Sequence, residues 1–118
     1  AKEVLGSYDP DAGILTVVRY DKPADAVDYV NSKWEMQTEP YRGDVINSYN
    51  DGPPAPGAAP LGPFYELETS SPARALKPGE RVTHTQVTFH FSGSAEAMDV
   101  LVKKLFGVDL ASITNAFR

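Results

Sequence analysis

The segment from Asp51 to Pro63 limits the folding choices of this chain more than any other. It holds five prolines and three glycines, so most of its positions lack either a backbone donor or a fixed conformation. Neither a helix nor a strand ladder can propagate through it. It must run as an exposed loop or a wrapping arm, and a structureless stretch of this length marks a functional lid or an inter-element linker. Regular structure has to be found on either side of it.

Before the loop, the turn signal Asp9-Pro10-Asp11-Ala12-Gly13 leads into a β-branched run, Ile14 to Tyr20, closed by Asp21-Lys22-Pro23. This predicts a strand over 14–20. Val27, Val30 and Trp34 fit helical spacing, and the stretch 24–36 reads as a short helix or turn leading to a strand around Trp34. Val45 to Tyr49 reads as another strand, ended by the turn chemistry of Asn50-Asp51-Gly52. After the loop, 64–71 and 81–91 read as two strands joined through Pro78-Gly79, and they are expected to form an antiparallel pair. The period then changes. Ser94 can cap a helix, Glu96 suits its first turn, Met98, Leu101, Val102 and Leu105 make its apolar stripe, and Gly107 stops it. A second short helix from Asp109 would place Leu110, Ile113 and Phe117 on one face.

These elements predict a mainly β fold, an antiparallel partial β-sandwich with one or two C-terminal helices. At 118 residues the chain suits a single domain, 1–118, with 51–63 as its Pro/Gly-rich loop. A composition 42% hydrophobic and 23% charged can supply a core. The net charge of -5 repels a phosphate backbone or an anionic membrane surface, so neither nucleic acid nor membrane is expected as a partner. No apolar run approaches the ~18 residues of a membrane span, and the start Ala1 to Gly6 is not a signal peptide. The absence of cysteine excludes disulfides and thiolate metal sites and leaves the compartment open.

Strand alternation sorts the chemistry-bearing side chains into faces. Phe64, Glu66, Glu68 and Ser70 share one face of their run, with Tyr65, Leu67 and Thr69 on the other. Val82, His84, Gln86, Thr88 and His90 lie together in the next run, opposite Val87, Phe89 and Phe91. If the two runs pair, one sheet face gathers two carboxylates, both histidines and a glutamine, a surface suited to carbohydrate hydroxyls. The same pattern also describes the solvated face of any half-buried antiparallel sheet. His84 and His90 are ~20 Å apart along one strand at about 3.3 Å per residue, too far to ligate one ion; one histidine with Glu66 or Glu68 across the pair stays open as a metal site but has no ligand spacing to support it, and no cofactor is expected. Asp44, Asn47, Asn50 and Asp51 follow no calcium-loop spacing and read as turn formers. Trp34, Tyr41, Tyr49 and Tyr65 offer ring faces for stacking on a sugar, although a lone tryptophan serves equally as core.

The run Leu67-Glu68-Thr69-Ser70, then Leu76-Lys77-Pro78-Gly79-Glu80, then His84-Thr85 with Phe89 and Phe91, resembles the C-terminal signature of galactose mutarotases, the aldose 1-epimerases. Together with Tyr29-Val30-Asn31-Ser32, Gly43 to Gly52 and Phe64 to Glu68, the chain resembles more closely an uncharacterised bacterial family of that supersandwich fold, whose members are longer than 118 residues. The resemblance implies that the chain corresponds to the C-terminal part of a larger mutarotase-like sandwich, in a periplasmic or secreted location. It also implies that Glu68 stands where the general base stands, with Glu66, His84, Gln86 and Trp34 as candidate sugar-binding neighbours. Ser70 replaces the usual glutamine and Ala73 an aspartate, and the family's histidine acid comes from an earlier part of the fold. The expected function is therefore a carbohydrate-binding or carbohydrate-modifying domain, inactive as an isolated chain.

The alternative is a noncatalytic interaction or assembly domain. A partial sandwich leaves the face of Leu15, Val17, Val87, Phe89 and Phe91 without a covering layer, which predicts a symmetric homodimer unless the C-terminal helices fold back over it.

Overall fold

The computed structural model describes residues 2–33 and 35–116. The fold is mainly β, with antiparallel strands in two sheets and two short helices at the C-terminal end. The chain divides into two compact units, one of residues Lys22–His84 and one that joins Lys2–Asp21 to the stretch from Thr85 onward.

The second unit contains β1 (Val4–Asp9), β2 (Ile14–Tyr20), β5 (Gln86–Ser92), α1 (Ala95–Phe106) and α2 (Leu110–Thr114). Its sheet has the order β1-β2-β5, with β2 central and both pairings antiparallel. β2 occupies the span its β-branched residues predict. The turn before it forms because the Asp9 carboxylate accepts the N–H groups of Asp11 and Ala12 at 3.0 Å each, the local bonding that makes aspartate a turn former. β1 was not anticipated. Its sequence, Val-Leu-Gly-Ser-Tyr-Asp, has only one β-branched residue, and it becomes a strand by pairing along the whole of β2, from Val4↔Arg19 to Asp9↔Ile14.

α1 begins and ends where its caps dictate. The Ser94 hydroxyl accepts from the Ala97 N–H, and Gly107, at φ 78°, takes the left-handed conformation while its N–H bonds back to Lys103. Asp99 ties the two helices together, accepting from Lys103 Nζ at 2.6 Å and from the Leu110 N–H at 2.9 Å. These contacts hold its carboxyl below the usual range, the Leu110 N–H contributing most. α2 is capped by Asp109, which accepts from the backbone N–H and the hydroxyl of Ser112.

Leu15, Val17, Met98, Val102 and Leu110 form one buried cluster, with Tyr8, Phe91, Leu105 and Phe106 packed against it. Thus the face expected to lie bare is covered from within: Leu15 and Val17 are each 1% exposed beneath the helices, whereas Val87 and Phe89 remain 46% and 40% exposed. Phe117 lies outside the described residues.

The first unit contains β3 (Ile46–Asn50) and β4 (Tyr65–Thr69), an antiparallel pair running from Ile46↔Thr69 to Asn50↔Tyr65. The Pro/Gly-rich segment joins them as an exposed loop. Among the described residues of this unit, the buried hydrophobic side chains include Tyr29 and Val45. Over 24–36 the described residues form a turn at 24–25, closed by the Ala26 N–H on the Pro23 carbonyl at 3.1 Å, and no helix; the strand expected around Trp34 falls on a residue outside those described. The backbone around Tyr29 and Asn31 instead bonds to Tyr41 and Pro40, with one bridge from Tyr29 to Arg42, so the hydrogen bonds a helix would have used go to a neighbouring segment.

The expected pairing of 64–71 with 81–91 is also corrected. β4 pairs with β3 and β5 with β2, in different sheets. Both runs do contain strands, but alternation says which residues share a face and nothing about which strand lies alongside. The second run is regular only from Gln86, so His84 precedes the strand.

Candidate functional site

β3 and β4 set their alternate residues directly opposite one another, Asn47 against Glu68 and Tyr49 against Glu66. Opposed residues of an antiparallel pair share a face. A groove of about 590 Å³ is lined by Asn47, Tyr49, Glu66 and Glu68 of that face together with Ser32, Ser48, Leu61 and Phe64.

The polar floor is connected. Asn47 Nδ2 donates to Glu68 Oε2 at 3.2 Å. Hydrogen bonding of Glu66 to Glu68, with partial desolvation and the repulsion of the neighbouring charge, holds the Glu66 carboxyl above its ordinary value. One wall is aromatic: the Tyr49 and Phe64 rings lie 5.8 Å apart between centroids at a 30° tilt, within the range of favourable ring pairs.

The loop entrance is locked by Asp51. Its carboxylate accepts from the Gly62 N–H and from the Tyr49 hydroxyl, both at 2.7 Å, and its own N–H bonds to the Phe64 carbonyl at 3.3 Å. The Gly62 bond, followed by that from Tyr49, keeps the Asp51 carboxyl below its usual range, and the same contact pushes the Tyr49 phenol up. Asp51 thus fixes both the aromatic wall and the far end of the loop.

Of the site residues expected from sequence, Glu66 and Glu68 come together as alternation requires. His84 does not join them. Its Nε2 is 2.9 Å from Thr69 Oγ1, and Thr69 alternates to the side of β4 opposite Glu66 and Glu68. Gln86 pairs with Tyr20 in the other unit. Trp34 lies outside the described residues. Conversely, Asn47 and Asp51, read as turn formers, are a floor residue and the loop lock. The parity of Asn47 with Tyr49 was the available signal for the first, while nothing local marks Asp51 as reaching Gly62. Among the described residues, no cluster of three His, Asp or Glu side chains could hold a metal, and no helix is long and apolar enough to cross a membrane.

The fold and groove together define a mainly β protein with an acidic, aromatic-walled groove on a two-stranded antiparallel sheet. The chain belongs to DUF6786, a family of unknown function whose model matches residues 1–117. No curated protein and no solved structure matches it.

Proposed function

We propose that the groove on β3 and β4 binds a carbohydrate, and that the chain acts as a sugar-binding domain of aldose 1-epimerase-like type. One observation carries this reading: a single groove combines two carboxylates and an amide, which can bond vicinal hydroxyls, with a paired aromatic wall, which can stack on the apolar face of a pyranose. Glu68 is the candidate general base by its motif position. Among the described residues the groove lining contains no histidine, the side chain whose ordinary pKa lies near neutrality, and the reading is of binding without turnover by this chain.

Titration of the isotope-labelled chain with galactose and glucose tests this by amide shifts. Shifts centred on residues 47–49 and 64–68, weakened about tenfold by Tyr49→Ala and by Glu68→Gln, are expected, a tenfold change being about 1.4 kcal/mol. No shift at tens of millimolar sugar would sink the reading. Polarimetry is expected to show no acceleration of mutarotation, since loss of an acid partner forfeits ~10²- to 10⁴-fold of rate. Acceleration abolished by Glu68→Gln would replace binding with catalysis.

A second reading, a noncatalytic assembly domain that forms a homodimer, is favoured by the exposure of Val87 and Phe89 on β5.

A further inference from the structure

β5 pairs with β2 along one side, and the order β1-β2-β5 makes its other side an edge of the sheet. Residues 86–90 are all exposed, and no further strand is paired on that side among the described residues. An open edge presents a row of N–H and C=O groups that pairs readily with another chain, and proteins guard such edges with charge, proline, bulges or brevity. The other outer strands carry such guards. β1 ends in Asp9, β4 carries Glu66 and Glu68, and β3 is five residues long and followed by Asp51. β5 has none. From Val82 to Ala95 there is no Asp, Glu, Lys, Arg or Pro, in a chain of which 23% is charged, and the strand runs without a bulge against β2.

We propose that β5 pairs with β5 of a second copy of this chain, antiparallel about a two-fold axis at Phe89, so that two sheets become one. The strand is complementary to itself in this register. Phe89 faces Phe89 of the second copy, Val87 faces Phe91, Thr88 faces His90 and Gln86 faces Ser92. Opposed residues share a face, so apolar side chains meet apolar ones and polar meet polar, and all seven residues are paired. The existing stack of Phe89 on Phe91, with centroids 6.1 Å apart, continues across the axis. No like charges oppose one another in the ladder. The inference names the surface for the assembly reading and is independent of the sugar reading.

Sedimentation of the full chain from low to several hundred micromolar should show the mass rising from 12.8 kDa toward twice that value. Phe89→Lys should raise the dissociation constant at least tenfold, whereas Val100→Lys, on an exposed position of α1, should not. The chain has no cysteine, so Phe89→Cys introduces a single thiol. Opposed Cα atoms lie about 4.5–5.5 Å apart, within the ~4.4–6.8 Å of a disulfide, so mild oxidation should cross-link this variant and leave Val100→Cys unlinked. A monomer at every concentration would overturn both edge pairing and self-association. A dimer indifferent to Phe89→Lys and not cross-linked through Phe89→Cys would overturn the edge pairing while association through another surface stands. The cross-link keeps the test decisive if Phe89→Lys perturbs folding.

Discussion

Two residues apart on one strand face, Glu66 and Glu68 bring two carboxylates close together. Because the folded chain raises the pKa of Glu66, chiefly through its hydrogen bond with Glu68, the native state binds the Glu66 proton more tightly than the unfolded chain does. The stability this contributes is present below the ordinary Glu value of 4.5 and is lost as pH rises through the folded value. Glu66→Gln, which mimics the protonated form, should therefore match the parent chain in melting temperature at pH 4 and exceed it at pH 7. Equal curves at both pH values would show that Glu66 is not held above its ordinary value in the folded chain. Asp51 has the opposite sign: its lowered pKa stabilises above the unfolded value and is lost as acid protonates it. Alternation alone made the Glu66–Glu68 pair legible, since it depends only on their being two residues apart. The aromatic wall was legible only in part, because Phe64 meets Tyr49 through a loop whose closure no local pattern specifies.

Among the elements, β1 shows how packing overrides propensity. Gly6 is the point where the strand meets α1: a Cβ there would stand 2.6 Å from the Thr16 carbonyl oxygen and 2.9 Å from Cζ of Phe106. The Phe106 ring can move only at the expense of the core it packs against, and the backbone oxygen cannot move without disturbing the ladder with β2. Gly6→Ala should destabilise the chain by about 1–3 kcal/mol, the usual cost of overpacking. Urea unfolding followed by circular dichroism reads this directly, and a change below about 0.5 kcal/mol would mean that the β1–α1 contact is looser than described. The first helix, by contrast, was legible at both ends and the second at its start, because Ser94, Gly107 and Asp109 act on backbone groups within a few positions of themselves.

Across the whole molecule, the two units differ in how much apolar surface they bury. The unit of β1, β2, β5 and the helices holds a continuous core of Leu15, Val17, Met98, Val102 and Leu110. The unit of β3 and β4 buries Tyr29 and Val45, and its two strands are exposed or half-buried throughout. A two-stranded sheet is marginal in water, so its hydrogen bonds should open at lower free energy than those of the larger sheet. Hydrogen exchange should find the amides of 14–20 protected longest and those of 46–50 and 65–69 exchanging at least tenfold faster. Equal protection would show that the chain opens as one unit. Local sequence was enough for the strand at 14–20, the first helix with both its ends, the start of the second, the exposed loop and the shared face of Glu66 and Glu68. Each of these follows from periodicity, capping or backbone restriction over a few neighbouring residues. Long-range packing settled that β4 lies beside β3 and β5 beside β2, that an unpromising N-terminal segment becomes β1, and that His84 turns to Thr69 while Gln86 joins the other unit. Strand partners are chosen by competition among distant segments for the same hydrogen bonds and the same apolar cover, and no local pattern records the outcome of that competition.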